Sequence, residues 1–211
     1  MYQPALFRED RVDVMHQLMR AHPFGLLTSI QAGRVNADHL PMVIHEDLAE
    51  KGIIRCHVAK GNPLWLDRAG SSEVLAVFQG PQAYVTPSWY PSKKVHGKVV
   101  PTWNYAVVHA RGTLEFRDDH GWLMEHLSEL TARHEGRRLK PWHVSDAPKD
   151  YMTRQFKGLV GVEIQVTELE GKWKVSQNKD AGDRKGVQEG LLREPDPSAA
   201  EVSELVGRLG R

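Results

Sequence analysis

Apolar and polar residues alternate with a period of two along several short stretches of the chain, which is the spacing of half-buried β-strands. Residues 53–60 show the pattern clearly, with Ile54, Cys56 and Val58 on one face and polar or small residues between them. The same pattern predicts further strands over residues 26–31, 35–45, 74–78, 82–86, 103–116, 158–167 and 173–177. Most of these strands follow one another closely, which indicates an antiparallel sheet.

A spacing of three to four residues between apolar positions predicts helices in four other stretches. They lie after Glu9 or Asp10, between Asp118 or Asp119 and Glu135, over residues 149–156, and after Ser198, which with Glu201 resembles a capping box. Residues 87–101 are predicted to form a long loop and residues 169–171 a turn. The chain is therefore predicted to be mainly β with flanking helices, an α+β fold built on an antiparallel barrel.

Two local signals refine this picture. Pro41 has no amide hydrogen, so regular pairing is expected to break in the middle of the strand 35–45. At the other signal, Lys60 ends a strand, Asn62 is a strong helix N-cap, and Pro63 suits the first helical position. An ammonium group beside the amino end of a helix can bind a phosphate, although an ordinary strand, turn and helix explains the same residues.

Composition excludes several classes of protein. The 211 residues include 28 Lys and Arg against 27 Asp and Glu, so there is no overall basic charge of the kind that nucleic-acid binders carry. Cys56 is the single cysteine, which excludes an internal disulfide and a cysteine zinc cluster. The first residues lack the pattern of a signal peptide, and we expect a cytoplasmic protein.

Searches for catalytic and metal-binding patterns identify neither kind of residue. His39 and His45 share a strand face but lie about 20 Å apart along it, too far to bind one zinc ion together. The eleven histidines are therefore interpreted as scattered and partly solvated. Nucleotide-binding glycine loops and a serine nucleophile elbow are absent from the sequence, and no catalytic residue is assigned.

Two polar and aromatic clusters have more than one interpretation. Residues 100–105 include Trp103 and Asn104, which offer a stacking surface and directed hydrogen bonds, or else simply begin a strand. Gln177 and Asn178, at the end of a strand, could donate hydrogen bonds to a heteroaromatic ring or serve as turn residues.

Three separated segments together resemble one family. They read HVAKGNPLW at residues 57–65, PTWNYAVVHARG at residues 101–112 and KVSQNK at residues 174–179, and the opening MYQP and the ADHLP at residues 37–41 agree with them. These are similar to the hallmark stretches of the PaiB family, the FMN-binding negative transcriptional regulators. The resemblance extends to about Leu192.

The resemblance implies an FMN-binding split barrel related to pyridoxamine phosphate oxidases, in which two subunits pair and the flavin lies at their interface. By position, it implies FMN contacts for Lys60, Asn62, Thr28, Ser29, His39, Trp103, Asn104, Gln177 and Asn178. Lys60 would contact the phosphate, and the last four residues would act across the dimer. The predicted domains are residues 1–192, the barrel with its inserted helices, and residues 193–211, a helical tail.

The leading prediction for function is a homodimeric, FMN-binding negative transcriptional regulator. No helix-turn-helix is evident, so DNA as a partner depends on a local basic patch at Lys93, Lys94 and Lys98. Two alternatives stay open at this point. One is a flavin-dependent oxidoreductase or oxidase acting on a small substrate, and the other is a haem- or metal-binding split barrel.

Overall fold

The computed structural model describes residues 1–68 and 72–209. Eight strands occur in these residues: β1 (Arg8–Glu9), β2 (Phe24–Gln31), β3 (Arg34–Pro41), β4 (Val43–His45), β5 (Ile53–Ala59), β6 (Glu73–Val85), β7 (Thr102–Arg117) and β8 (Leu159–Lys174). Seven α-helices occur in the same described residues: α1 (Val12–Ala21), α2 (Pro63–Leu66), α3 (Lys93–His96), α4 (His120–Glu135), α5 (Lys149–Lys157), α6 (Ala181–Leu191) and α7 (Pro197–Leu209).

The strands form one sheet with the order β3-β2-β6-β7-β8-β5-β4, and β1 pairs with β8. The pairings β1 with β8, β2 with β3, β2 with β6, β4 with β5 and β5 with β8 are all antiparallel. In β5, the side chains of Ile54, Cys56 and Val58 are buried while their neighbours are more exposed, as the alternation predicts. The prediction of an antiparallel sheet with flanking helices is confirmed.

The described contacts divide the chain into two compact units. Unit 1 comprises Met1–Leu18, Gln79–Val108 and Glu170–Arg211, and unit 2 comprises Met19–Phe78 and His109–Leu169. The predicted domain boundary after Leu192 stays a prediction. No helix among the described residues has the length and apolar character that a membrane span requires.

Unit 1 has a hydrophobic core in which α6 and α7 pack on strand residues. Val187 and Leu191 of α6 and Val202 and Val206 of α7 are buried together with Val175. Unit 2 buries strand residues such as Leu27, Ile54 and Val162, and it has a smaller cluster at its helices. Leu123 of α4, Phe156 of α5 and Val144 are the buried residues of this smaller cluster.

Several local predictions are confirmed. Asn62 caps α2, Pro63 occupies the first helical position, and Asp119 caps α4 through a bond from the Trp122 amide. The strand predicted over residues 35–45 is interrupted at Met42, because β3 ends at Pro41 and β4 begins at Val43. These features depend on hydrogen bonding by the backbone of neighbouring residues, so they can be predicted from the sequence.

The turn predicted over residues 169–171 is wrong, because β8 runs unbroken through it. Gly171 pairs with Glu9 of β1, and a Cβ at Gly171 would lie 2.9 Å from both the Glu9 carbonyl oxygen and the Met15 Cγ. This glycine therefore permits close packing within the strand and not a change of chain direction.

The loop interpretation of residues 87–101 is incomplete, and one helix was missed. The segment contains a short 3-10 helix, Pro87–Trp89, and the single-turn helix α3. Helix α6 was not predicted, although Asp180 supplies its N-cap by accepting a hydrogen bond from the Asp183 amide. The Asp180 cap followed by Val187 and Leu191 at helical spacing was the signal that could have identified it.

Candidate functional site

The end of β5 and the start of α2 form a rigid corner in unit 2. The Asn62 Oδ1 accepts a hydrogen bond from the Leu64 amide at 2.7 Å, and the Asn62 Nδ2 donates to Asp38 Oδ1 of β3 at 2.8 Å. Both ends of the Asn62 amide are therefore used within the protein. Asn62 fixes the corner to β3 and so determines where Lys60, two residues before it, can reach.

Lys60 points its ammonium group to the surface of this corner. Its Nζ lies 2.6 Å from Asp118 Oδ1, and it lies 5.9 Å from the centre of the Trp65 ring. The Lys60 side chain is 33% exposed and that of Asp118 is 49% exposed, so solvent screens this ion pair. A dianionic ligand could replace the Asp118 carboxylate at Lys60 at small cost.

Thr28 and Ser29 are adjacent on β2, so their side chains lie on opposite faces of the strand. Ser29 is buried and accepts a hydrogen bond from Gln31 Nε2 at 2.7 Å. Thr28 is half-buried and donates from Oγ1 to the Leu75 carbonyl at 3.0 Å. Both residues line the groove described next, Thr28 from the more exposed face of the strand.

A groove of about 480 Å³ runs along β2 in unit 2. Thr28, Thr113 and Arg111 contribute hydroxyl and guanidinium groups to its lining. The Arg111 Nε lies 3.6 Å from Glu168 Oε2, and the Arg111 side chain is 50% exposed. Arg111 was not predicted to be a binding residue, although it lies within the 101–112 segment.

His39 lies on β3 and is exposed. Its ring stacks on that of Phe24 with 6.2 Å between the ring centroids. Phe24 is itself 67% exposed, so the pair forms part of the surface of the β2–β3 hairpin.

Asn104 and Ser176 form a buried polar centre in unit 1. Asn104 is 1% exposed, and its Nδ2 donates to Ser176 Oγ at 2.8 Å. The Asn104 Oδ1 is buried without a hydrogen-bond partner among the described residues. Ser176 has a φ of 65°, a left-handed conformation that costs a non-glycine residue energy and often marks a functional position.

The other three residues predicted to act across the dimer differ from Asn104 in exposure or hydrogen bonding. They are Gln177, Asn178 and Trp103. The Gln177 amide is used locally, because its Oε1 accepts from the Val175 amide and its Nε2 donates to the Trp173 carbonyl. Asn178 is exposed beyond the end of β8. Trp103 is 53% exposed, with its ring 6.0 Å from that of Tyr84. Of these three, Trp103 offers an open aromatic surface.

A histidine pair, His57 with the buried His126, is the main polar feature of unit 2 that was not predicted from the sequence. The His57 Nδ1 lies 3.2 Å from His126 Nε2, and the Trp122 ring stacks on His126. His126 is 1% exposed, which corrects the interpretation of the histidines as scattered and partly solvated. The alternation in β5, which places His57 opposite the buried Cys56, gave no signal of its partner on α4.

The surroundings keep this pair neutral. Burial lowers the pKa of His126 to about 3, helped by electrostatic repulsion from His57, Arg55 and His45. The His126 Nδ1 is buried without a partner, and an unpaired buried acceptor is commoner than an unpaired buried N–H. We therefore assign the proton of His126 to Nε2, from which it donates to His57 Nδ1.

Carboxylates and guanidinium groups pair close to the histidines. Burial acts to raise the pKa of Glu163, but hydrogen bonds from Arg117 and Arg55 outweigh it and lower the pKa.

Among residues 1–68 and 72–209, no group of three or more His, Cys, Asp or Glu side chains is arranged to hold a metal ion.

The residues present fit FMN by their chemistry. FMN has a dianionic phosphate, a hydroxylated chain and a planar ring that needs donors and acceptors. The corner in unit 2 supplies the Lys60 ammonium group, and the groove in unit 2 supplies hydroxyls and Arg111. In unit 1, the unpartnered Asn104 Oδ1 is a buried acceptor suited to a ring N–H.

Comparison with known proteins decides the family. Residues 1–168 match the family model described as "Putative FMN-binding domain". The Bacillus subtilis "Protease synthase and sporulation protein PAI 2" is 31% identical over 206 residues, which cover 98% of this chain and 96% of that protein. The chain belongs to the PaiB family. FMN is the cofactor of this family domain.

Other relatives of this PaiB-family chain extend the comparison. An uncharacterised protein of Emericella nidulans is 34% identical over 226 residues, covering 90% of both chains. The structure of the FAD and heme binding protein from Mycobacterium smegmatis superimposes with a TM-score of 0.58 at 15% identity, covering 87% of this chain and 80% of that one. At such identity the likeness shows the fold alone, which is the split barrel that the resemblance implied.

Proposed function

We propose that this PaiB-family protein is a homodimeric, FMN-dependent negative transcriptional regulator. The proposal is supported by the near full-length match to the Bacillus protein PAI 2. The structural observation that carries it is an exposed basic segment, α3 with Lys98, held in a fixed place on unit 1. FMN would supply reversible two-electron redox chemistry, which offers a regulator a signal to read.

Lys60 would hold the FMN phosphate at the corner. The ammonium group is partly exposed, its single described carboxylate partner is the solvent-screened Asp118, and the Asn62 cap keeps the corner rigid. Phosphate carries more charge than one carboxylate and accepts several hydrogen bonds. Lys60 would therefore exchange the Asp118 carboxylate for the phosphate when FMN is bound.

Three variants test this placement. We expect Lys60→Gln to weaken FMN binding by 10- to 100-fold, about 1.4–2.8 kcal/mol, and Asp118→Asn to strengthen it, because the competing carboxylate is gone. Arg111→Gln tests the alternative placement, since Arg111 is the cation of the groove. Quenching of FMN fluorescence gives the dissociation constants. A loss with Arg111→Gln and none with Lys60→Gln would move the phosphate to the groove.

Thr28, His39, Trp103 and Asn104 are the proposed further contacts to FMN or across the dimer. Thr28 lies on the open face of β2, Trp103 presents an exposed ring, and Asn104 has an unused acceptor. Ser29 is buried, and both ends of the Asn62 and Gln177 amides are used within the protein, so we propose that these three residues support the site indirectly. Asn178, exposed after β8, completes the proposed set.

The homodimer is supported by exposed apolar residues on the β2–β3 hairpin. Phe24, Ile30 and Val35 are 67%, 53% and 79% exposed. These residues lie on one hairpin with Thr28 and His39, and exposed apolar patches of this kind mark interaction surfaces. A second subunit covering this hairpin would place flavin contacts at the interface.

The DNA-binding part of the proposal depends on the segment around α3. Lys93, Lys94 and Lys98 are exposed and have no carboxylate within 4 Å among the described residues. Gly97, with a φ of 65°, ends α3 just before Lys98. Ammonium groups clustered on one turn bind phosphates with little sequence preference.

DNA binding is tested with a fluorescent duplex at a series of salt concentrations, with and without FMN. We expect binding that weakens steeply with salt, and a slope smaller by up to about 3 after Lys93, Lys94 and Lys98 are all changed to Ala. A control variant changes Lys185, Arg193 and Arg208 to Ala and should keep the slope. Absence of binding at low salt, together with turnover of NAD(P)H, would favour the flavin oxidoreductase instead.

A further inference from the structure

A second cavity lies in unit 2, apart from the corner and the groove. Its volume is about 510 Å³, within the range of about 300–1,000 Å³ that small-molecule sites occupy. One wall is α4 with Met124 and Ala132, another is α5 with Met152 and Phe156, and Trp142 lies between them in the sequence. None of its lining residues belongs to the groove or to the corner.

Packing holds the walls of this cavity in place. Phe156, Val144 and Leu123 are buried in one cluster, and Met124 and Met152 pack against that cluster. The His120 ring meets the Phe156 ring edge-on at 4.8 Å. The cavity is therefore a formed part of the protein, with aromatic rings and adaptable methionines that favour a flat aromatic ligand.

Lys149 is the charged side chain among the residues that line this cavity. The lining contains no Asp or Glu, although the Asp146 carboxylate lies 3.8 Å from Nδ1 of the lining residue His143. Within residues 1–68 and 72–209, no carboxylate lies within 4 Å of the Lys149 ammonium group. The two nearest acidic residues in sequence have other partners, because Asp150 pairs with Arg154 at 2.9 Å and Asp146 accepts from the His143 amide.

The amino end of α5 adds to this charge. Lys149 is the first residue of α5, and Pro148 at the N-cap makes no side-chain hydrogen bond to the helix. The positive end of the helix and the unpaired ammonium group thus lie at the edge of an apolar cavity.

We propose that this cavity binds a small aromatic monocarboxylate, with the ring among Met124, Met152 and Phe156 and the carboxylate at Lys149. Ser128, Thr131, Ser145 and Thr153 also line the cavity, but most of its surface is apolar, so burying an aromatic ring there is favourable. The unpaired cation favours an anion over a neutral compound of the same shape. Because α4 and α5 flank the sheet, such a ligand gives the protein an input separate from the flavin.

The test uses 2-naphthoate and its neutral analogue 2-naphthol with the full-length protein, by isothermal titration calorimetry, with and without FMN. We expect one 2-naphthoate per chain, bound at least tenfold more tightly than 2-naphthol. Lys149→Gln should remove that preference and leave 2-naphthol binding unchanged. Lys157→Gln, on the other end of α5, is the matched control and should keep the preference.

A second variant protects the test against a folding artefact. Ala132 is exposed on α4 and lines the cavity, so Ala132→Phe should fill it and abolish binding of both probes without lowering the melting temperature. Equal binding of both probes by the unchanged protein, a preference that survives Lys149→Gln, or competition by FMN would overturn the proposal. The FMN competition result would assign the cavity to the flavin, whatever the outcome at Lys60.

Discussion

The histidine pair of unit 2 shows how one buried residue links stability to pH. In the folded protein His126 stays neutral at pH values well above 3, because its pKa is lowered from the ordinary 6.5 to about 3. Burial also lowers the pKa of His57. Between about pH 6.5 and pH 3 the unfolded chain binds a proton that the folded chain does not. The free energy of unfolding therefore falls as the pH falls through this window, and this pair contributes no pH dependence above it.

The titration of His126 is expected to lower the free energy of unfolding by about 2 kcal/mol between pH 7.5 and pH 5. This follows from about 1.36 kcal/mol per pH unit below 6.5. His126→Gln can still donate to His57 but cannot titrate, so its loss over the same range should be smaller by about that amount. Urea unfolding at both pH values measures the difference. His143→Gln, with a side chain 62% exposed, should behave as the unchanged protein does. Identical losses in both variants would contradict the assignment.

Gly161 is a second residue whose role depends on a distant neighbour. A Cβ at Gly161 would overlap the Trp122 ring, lying 2.5 Å from Cε3, and would lie 3.0 Å from the Arg117 carbonyl. Gly161→Ala is expected to lower the free energy of unfolding by about 1–3 kcal/mol through overpacking. Gly61→Ala has open space around its Cβ and should change it by less than about 0.5 kcal/mol. Thermal and urea unfolding of both variants provide the comparison, and equal effects would exclude this explanation.

Residues that act through adjacent backbone could be identified from the sequence, and residues that act through long-range packing could not. Asn62, Pro63 and Asp119 were identified because capping depends on neighbours within three positions. His126 and Gly161 were not, because their partners, His57 and Trp122, lie far along the chain. Lys60 was identified as a cation at a helix start, but its pairing with Asp118 needed the fold.

The segment before α3 depends on α6 for its position. Asp183 of α6 is 4% exposed and accepts hydrogen bonds from the Ser92 amide at 3.1 Å and the Ser92 hydroxyl at 2.7 Å. The Trp89 backbone and ring also approach Gly186 and Gly190 of α6 so closely that a Cβ at either would overlap them. The basic segment is thereby fixed to a helix.

Asp183→Ala should cost about 2–3 kcal/mol of unfolding free energy, since it removes two hydrogen bonds to a carboxylate. It should also speed cleavage by trypsin at Lys93 and Lys94. In a double-mutant cycle with Ser92→Ala, we expect a coupling of about 1 kcal/mol. Asp180→Ala removes the cap of the same helix without touching Ser92, so it should show no coupling. Coupling of equal size in both cycles would point to a general loosening of α6.

Two elements were predicted wrongly where glycine and proline, which often mark turns and loops, lie within a strand or a helical turn. Gly171 suggested a turn, but its pairing with Glu9 of β1 keeps β8 extended. The many breakers in residues 87–101 hid a helical turn that depends on α6, an element also missed. Strand alternation, by contrast, needs only the sheet's two faces, so β5 was predicted to within one residue.

At the scale of the whole molecule, the proposed flavin contacts and the proposed dimer surface share one hairpin. Thr28 and His39 lie on β2 and β3 together with Val35, which is 79% exposed. If the second subunit completes the flavin site, subunit association and FMN binding must strengthen each other by the same factor. Diluting the protein below its dimerisation constant should then weaken FMN binding.

Val35→Glu tests this linkage directly. A carboxylate at an apolar subunit interface is costly to desolvate, so the variant should be monomeric and should bind FMN at least tenfold more weakly. Val95→Glu is the matched control, because Val95 is 83% exposed on α3, away from the hairpin in sequence and in a different unit, and it should stay dimeric with unchanged affinity. Light scattering after size-exclusion chromatography measures mass, and FMN fluorescence measures binding. A monomeric Val35→Glu that binds FMN as tightly as the unchanged protein would show that one subunit holds the whole flavin site.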